Sequence, residues 1–150
     1  MNQERIMKHR MVTAIIAWVV TFIIMLVFIG LYIDETHRVQ ETYRRQYLTE
    51  ISHASKEIDS YIKNEGDLQL RYMRIVSYMS AANSYAFLIN DNSDKQITIN
   101  ELTTCLVKYP EQMHEKLEDT KTALDDIAAN HDKGYKAAKE IVDSVDKLGH

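Results

Sequence analysis

Residues 11–33 read MVTAIIAWVVTFIIMLVFIGLYI, a stretch without a single charged side chain. An α-helix rises about 1.5 Å per residue, so this stretch reaches about 35 Å and can cross a hydrocarbon core of roughly 30 Å. Arg5, Lys8 and Arg10 precede it in a short basic tail, residues 1–10. The sequence therefore predicts a transmembrane helix at residues 11–33.

A cleaved signal peptide is the alternative, because it also begins with basic residues and then turns apolar. Its apolar region spans only about 7–15 residues and ends at a site with small residues. Here the apolar stretch is longer, and it ends in the bulky Tyr32 and Ile33 before Asp34 and Glu35. We therefore expect an anchor that is not cleaved.

Charged residues on either side of the stretch indicate its orientation. Lys and Arg next to a span favour the cytoplasmic side. Lys8 and Arg10 lie just before the apolar stretch, whereas Asp34 and Glu35 follow it directly. This pattern favours a cytoplasmic N-terminus in the cell (inner) membrane, with residues 34–150 as an extracytoplasmic domain.

The composition of residues 34–150 limits the class of protein. These residues include 21 Asp or Glu and 15 Lys or Arg, which argues against a nucleic-acid partner because such proteins present a basic face. Cys105 is the one cysteine of the chain, so an internal disulfide is impossible, and its spacing with Leu102 and Tyr109 predicts a buried apolar role. One proline and four glycines leave few helix breakers. The fold class is predicted to be all-α.

Apolar residues recur every three or four positions in two segments, which predicts two amphipathic helices. The first helix continues from the span, without a helix breaker, to the turn at residues 64–66. The second covers about residues 67–89, and the short turn predicts an antiparallel pair. The first stripe consists of Val39, Tyr43, Tyr47, Ile51, Ala54, Ile58 and Tyr61. The second consists of Leu68, Tyr72, Ile75, Met79, Ala82, Ala86 and Ile89.

A third helix is predicted to follow the polar residues 90–96. Thr98 and Glu101 have the spacing of a capping box, so this helix should begin near Ile99, and Pro110 should kink or restart it.

The last segment carries a heptad seam, in which apolar residues alternate by three and four. The seam is either one long helix or a hairpin broken at residues 130–134, and the weak helix formers Asp132 and Gly134 favour the hairpin. Its positions are Met113, Leu117, Thr120, Leu124, Ile127, His131, Gly134, Ala138, Ile141, Val145 and Leu148. The stripes together predict an antiparallel bundle of three to four helices or, alternatively, a dimeric coiled coil.

Residues 90–101, NDNSDKQITINE, resemble the calcium loop of EF-hand proteins. That family places oxygen ligands at loop positions 1, 3, 5, 7, 9 and 12. The resemblance implies calcium ligation by Asn90, Asn92, Asp94, Gln96, Thr98 and Glu101. Lys95 stands at the sixth position, where the family has glycine for a sharp turn. A solvated loop that ends in a helix cap explains the same polar residues, and both interpretations remain open.

Two other residue types suggest ligand sites. Arg44 and Arg45 together with Arg71 and Arg74 could clamp a carboxylate, although an antiparallel turn would place Arg74 beside Glu57 and favours ion pairing. Tyrosines on the stripes could line an amphipathic pocket or belong to the core with the hydroxyl at its rim. No phosphate loop, nucleophile elbow or HExxH motif occurs in the sequence, so no enzymatic activity is predicted.

A basic N-terminus, one span and a run of helices with heptad spacing resemble the anchor and sensory bundle of bacterial chemoreceptors and sensor kinases. The resemblance implies a membrane-anchored interaction or sensory module that acts by binding. The implied partners are the membrane and either a second copy of the chain or another membrane or extracytoplasmic protein. Two alternatives remain: a weak sensor of calcium or of a small ligand, and a structural coiled coil, because phage inner-membrane spanins also combine an N-terminal anchor with a helical ectodomain.

Overall fold

The computed structural model describes residues 2–89 and 93–147, which form six α-helices and no β-strand. The prediction of an all-α chain is confirmed for these residues. The helices are α1 (Asn2–Ile62), α2 (Leu68–Leu88), α3 (Ser93–Lys108), α4 (Pro110–His114), α5 (Leu117–Ala128) and α6 (Asp132–Asp143). The helix count is larger than predicted because the segment after Pro110 is divided into three helices.

The chain forms two compact units, Met1–Val39 and Gln40–His150, and the boundary between them falls inside α1. The first unit is the N-terminal part of this helix, and its apolar side chains are exposed on every side, for example Trp18 at 69% and Ile23 at 54%. Its most apolar window has a mean hydropathy of 2.9 and no buried residue. Among the described residues, α1 is the one helix long and apolar enough to cross a membrane, and it is therefore a candidate span.

The second unit has a packed hydrophobic core to which each of the six helices contributes. The two predicted stripes enter it, since Ile51, Ile58, Ile75 and Met79 are fully buried. The seam residues of α4, α5 and α6 are buried in the same chain, so they are not free to form a coiled coil with a second chain. Cys105 is 1% exposed, as its spacing predicts.

The turn between α1 and α2 lies where the sequence predicts it. Asn64 and Gly66 adopt φ values of 55° and 74°, a left-handed conformation that ends a helix. The Asp67 carboxylate then accepts a hydrogen bond from the Leu70 N–H at 3.1 Å and caps α2. The ion pair of Arg71 with Glu57 and the ring contact of Tyr43 with Tyr85 occur in opposite order along α1 and α2, so these two helices are antiparallel.

The predicted start of the third helix near Ile99 is wrong. Helix α3 already begins at Ser93, so Thr98 lies in its second turn and is not an N-cap. Instead of capping, the Thr98 hydroxyl donates to the carbonyl of Asp94 at 2.9 Å. Pro110 is the first residue of α4, which agrees with the predicted restart, because proline has no N–H to lose at that position.

The hairpin, the favoured form of the last segment, is confirmed. Helix α5 ends at Ala128, Asn130 has a φ of 61°, and α6 starts at Asp132. Asp132 and Gly134 are nevertheless helical, so they do not form the break. Gly134 has another role: a Cβ atom there would lie 2.6 Å from the carbonyl oxygen of Ala123 and 2.7 Å from the amide nitrogen of Ile127. The missing side chain therefore allows α5 and α6 to pack in close contact.

Candidate functional site

A small cavity inside the second unit is the strongest candidate for a functional site, and we call it the Tyr47 cavity. Four parts of the unit form its wall: α1, the C-terminal end of α2, the beginning of α3, and the α5–α6 turn with the first part of α6. Its volume is about 80 Å³, and the lining residues are Arg44, Tyr47, Leu48, Ala86, Ile89, Lys95, Gln96, Asn130, Asp132 and Tyr135. Because a buried water needs roughly 10–15 Å³ by this measure, the cavity has room for about six water-sized atoms.

Two tyrosines form the polar centre of the cavity wall. The hydroxyl oxygens of Tyr47 and Tyr135 lie 2.9 Å apart and share a hydrogen bond in which either can be the donor. Burial, followed by the neighbouring Tyr135, raises the pKa of the Tyr47 phenol, and burial likewise raises the pKa of Tyr135. Both hydroxyls therefore keep their hydrogens at neutral pH. One hydrogen occupies the shared bond, so the pair can donate the second one to a ligand.

Three charged side chains stand at the cavity. The Arg44 guanidinium donates to the Asn130 side-chain oxygen at 3.2 Å. The Lys95 ammonium lies 2.7 Å from the Asp132 carboxylate and 5.2 Å from the ring centroid of Tyr135. Its hydrogen bond and charge lower the pKa of the Asp132 carboxyl. Arg44, Lys95 and Asp132 are the charged side chains among the described residues that line the cavity.

The local sequence explains how these groups are positioned. Tyr47 belongs to the α1 stripe, one turn before Ile51, so its ring is directed into the core and is 4% exposed. Arg44, three residues earlier on the same helix, reaches the rim of the cavity. The left-handed Asn130 reverses the chain after α5, which places Asp132 and Tyr135 in the first turns of α6.

The described residues of the predicted calcium loop lie on a helix and do not surround a common point. Asn90 and Asn92 lie outside the described residues, whereas Asp94, Gln96, Thr98 and Glu101 lie on α3. Helical steps of about 100° direct Gln96 away from the other three. Gln96 lines the Tyr47 cavity, and Thr98 is 6% exposed. From Ser93 onward the segment is thus a helix and not an EF-hand loop.

Metal binding as a whole stays a prediction. Within residues 2–89 and 93–147, no group of three His, Cys, Asp or Glu side chains is placed to hold an ion.

Ion pairing, the favoured interpretation of the arginines, is found for Arg71 and Arg74, and the alternative of an arginine clamp does not form within the described residues. Arg71 and Arg74 both pair with Glu57, at 2.8 Å and 3.7 Å, as the predicted antiparallel turn favours. Arg44 lines the Tyr47 cavity and also the open groove next to it, whereas Arg45 lines only that groove.

Tyr61 of α1 and Tyr72 of α2 line a second, more open groove that α3 and α4 complete, which we call the Met73 groove. Their rings contact each other and the ring of His114, with centroids 4.7–6.1 Å apart. The Tyr72 hydroxyl donates to the Leu106 carbonyl at 2.8 Å, and burial raises the pKa of this phenol to about 12. Met73, also part of the lining, is 61% exposed.

Sequence reasoning named Tyr47 as a pocket candidate but missed its partners Lys95, Asn130, Asp132 and Tyr135. These residues come from segments far apart in the chain, and no spacing rule relates α6 to α1. The sequence did contain one signal for Tyr135. It directly follows Gly134 of the seam, and a residue next to a seam lies at the edge of a helix interface.

No protein-family model matches the chain, and no curated protein and no solved structure matches it.

Proposed function

We propose that this protein is a membrane-anchored helical module of the sensory type, which binds a small molecule in the Tyr47 cavity and has no catalytic activity. The apolar segment 11–33 is the anchor, and residues 34–150 are an antiparallel helical bundle on the extracytoplasmic side. The observation that carries the proposal is the cavity itself, because four parts of one unit meet around it and surround it with both polar and apolar groups. Such concave sites with few convergent polar groups are typical of ligand pockets.

Binding in this cavity would connect α1 to the rest of the unit. Arg44 and Tyr47 come from α1, whereas Lys95 comes from α3 and Tyr135 from α6. A ligand that contacts all of them stabilises the arrangement in which they converge. Because such a ligand binds only the folded unit, it raises the free energy of unfolding, and a tighter ligand raises it more. Ligand occupancy can therefore be read as a stability change.

The test uses the full chain in detergent micelles and a library of small metabolites. We expect at least one compound to raise the thermal unfolding midpoint, measured by circular dichroism. Ala86→Leu, which places a larger side chain in the cavity wall, should remove the shift. Ala81→Leu on the same helix is the matched control, because Ala81 does not line the cavity. Gln96→Phe fills the cavity from the opposite side if Ala86→Leu fails to fold. A library without any hit, or hits that survive both filling variants, would contradict the proposal.

The orientation can be tested separately with one engineered thiol. Lys139 is exposed, so Lys139→Cys in a Cys105→Ala background presents one reactive group. An extracytoplasmic domain predicts labelling of intact cells by a membrane-impermeant maleimide. Labelling only after lysis would reverse the proposed orientation.

Self-association through the Met73 groove is a second candidate function. The seam is buried in the core, but Met73 of α2 and Val107 of α3, which both line this groove, are 61% and 56% exposed. A second copy presents the same apolar surface, so a symmetric contact can cover both. If so, Met73→Glu should lower the mass of the micellar complex in sedimentation experiments, whereas Ser84→Glu, at an exposed position about three turns further along the same helix, should not. A monomeric native chain excludes this candidate.

A further inference from the structure

Three large apolar side chains are exposed on the second unit near the C-terminal end of α2, and we call them the Phe87 patch. They are Phe87 and Leu88 of α2 and Ile97 of α3, which are 62%, 49% and 46% exposed. The chain contains three phenylalanines, and the other two belong to the apolar stretch 11–33. Large apolar side chains that are grouped on a surface, unlike single ones, mark a contact with a protein or a membrane.

The packing of α2 against α3 brings the three side chains together. Hydrogen bonds between the two helices occur in opposite order along them, so α2 and α3 are antiparallel. One of these bonds joins the side chains of Asn83 and Asn100 at 3.0 Å. Phe87 follows Asn83 by one turn, and Ile97 precedes Asn100 by about one turn, each on the same face of its helix as the asparagine. Phe87 and Ile97 therefore lie side by side, with Leu88 next to them.

The Phe87 patch lies at the end of the second unit where the chain enters this unit. Gln40 is the first residue of the unit, and its side-chain amide donates to the Leu88 carbonyl at 3.2 Å. The rings of Tyr43 and Tyr85 contact each other, with centroids 6.5 Å apart. Both contacts place the C-terminal end of α2 beside the first residues of α1 that belong to this unit.

The same end of the unit is close, along the chain, to the candidate span. Gln40 follows Ile33, the last residue of the apolar stretch, by seven positions, and α1 is continuous between them. A helix rises about 10 Å over seven residues, and the headgroup layer on each side of a bilayer is roughly 5–8 Å thick. An anchor at residues 11–33 therefore keeps the patch near lipid, and a weak contact beside such a tether forms because its effective concentration is high.

We infer that the Phe87 patch inserts into the lipid interface of the bilayer that holds the anchor, so that the second unit is docked on the membrane surface. Insertion removes the three apolar side chains from water. The neighbouring Tyr43 and Tyr85 combine an apolar ring with a hydroxyl, a combination that is favoured at the level of the headgroups. This inference goes beyond the ligand site proposed above and rests on one part of the proposed function, the anchor.

Tryptophan fluorescence of the full chain in proteoliposomes tests the contact, because brominated acyl chains quench an indole ring that touches them. Trp18 is the one tryptophan of the chain, so Trp18→Phe provides a background without signal. In this background, Phe87→Trp should lose fluorescence when the lipids are brominated near the headgroup end of their chains. Met73→Trp should keep its fluorescence and is the matched control. Met73 is 61% exposed on the same helix but lies about 21 Å from Phe87 along it.

A second variant and a second quencher complete the test. Ile97→Trp places the probe on α3 and should also be quenched by the brominated lipid, so it replaces Phe87→Trp if that variant loses helical content in circular dichroism. Iodide in the aqueous phase gives the opposite measurement. It should quench Met73→Trp more strongly than Phe87→Trp or Ile97→Trp.

The outcomes separate this inference from the anchor on which it rests. Equal fluorescence of Phe87→Trp and Ile97→Trp in brominated and ordinary lipid would overturn the inference. If both variants are shielded from iodide without being quenched by the lipid, protein covers the patch, and the membrane is not its partner. In the native chain, Trp18 should be quenched by lipids brominated along their chains. Without that quenching the anchor and the inference both fail, whereas quenching of Trp18 alone leaves the anchor in place and overturns only the docking.

Discussion

Helix α1 contains two apolar regions that differ in how their side chains are distributed around the helix axis. In residues 11–33 the apolar side chains cover all sides and remain exposed, as with Ile23 at 54%. In residues 47–58 they return every three or four positions, and Ile51 is fully buried. A helix that is apolar all round is typical of a membrane span or of the core of a large protein, whereas a single stripe is covered by neighbouring helices. The arrangement of apolar residues, and not their number, thus decides what surrounds each part of α1.

Truncating one isoleucine in each region should give the largest difference between the two regions in the free energy of unfolding. Ile51→Ala leaves a void in the core of the second unit, and we expect the free energy of unfolding to fall by about 2–5 kcal/mol. Ile23→Ala should leave it unchanged, because Ile23 contacts no core. Urea unfolding of the full chain in micelles, followed by circular dichroism, measures both. Equal losses would show that the two regions depend on the same packing.

Two glycines provide a second contrast. Gly134→Ala places a methyl group 2.6 Å from the Ala123 carbonyl oxygen, and backbone atoms cannot rotate away as a side chain can. We expect a loss of about 1–3 kcal/mol as α5 and α6 separate. Gly30 has no atom within 4 Å of an added Cβ, so Gly30→Ala should not destabilise the second unit. A neutral Gly134→Ala variant would contradict the close packing of α5 and α6.

Alkaline pH should weaken the second unit through its buried phenols. The folded-state pKa values of Tyr47 and Tyr135 are raised, chiefly by burial, above the value of about 10 for an unfolded tyrosine. Their contribution to stability is therefore complete below about pH 10 and is lost as the pH rises further. While the buried Tyr47 phenol stays protonated in the folded state, it should cost up to about 1.4 kcal/mol per pH unit above about pH 10, and the partly exposed Tyr135 should cost less.

Unfolding measurements between about pH 9 and about pH 11 provide the check. The double variant Tyr47→Phe, Tyr135→Phe keeps every lysine, so it corrects for their deprotonation in the same range. It should lose stability less steeply than the native chain. If the free energy of unfolding falls equally with pH in the native chain and in the double variant, the ionisation of these two phenols does not affect folding.

Removing one ion pair from each part of α1 should give the smallest difference in the free energy of unfolding. Glu57 and Arg71 side chains are 16% and 24% exposed, whereas Glu35 and Arg38 are 58% and 74% exposed. Glu57→Gln removes a charge-assisted hydrogen bond that is partly shielded from water, so we expect a loss of about 1 kcal/mol. Glu35→Gln should give no measurable change because solvent screens that pair. A salt titration adds a check, since the loss caused by Glu57→Gln should change little with ionic strength while that pair is partly shielded from water.

The elements that the sequence predicts well are those fixed by local rules. The turn at residues 64–66 follows from a left-handed Asn and Gly and a capping Asp67, and the restart at Pro110 follows from a missing N–H. The start of α3 was predicted six residues too late because Asn, Asp and Ser suggest a loop. In the structure Ser93 and Asp94 instead form the first turn of a helix, where an acidic side chain is favourable.

The candidate site was predictable only in part. Tyr47 was recognised from its place on a stripe. Its contacts with Tyr135 and the meeting of Arg44, Lys95 and Asp132 join segments that are distant along the chain. Local spacing contains no information about such pairs, since they depend on how helices pack.

The sequence by itself determined that the described chain is helical, that one helix near the N-terminus is apolar enough to be a candidate span, and that stripes of apolar residues would be buried. These properties follow from hydrogen bonding and hydrophobic periodicity within single segments. Only the tertiary structure decided that α5 and α6 touch at Gly134, that the seam faces inward, and that two cations and two tyrosines surround one small cavity. The physical reason is that contacts between helices depend on the fit of whole surfaces, to which residues far apart in the sequence contribute together.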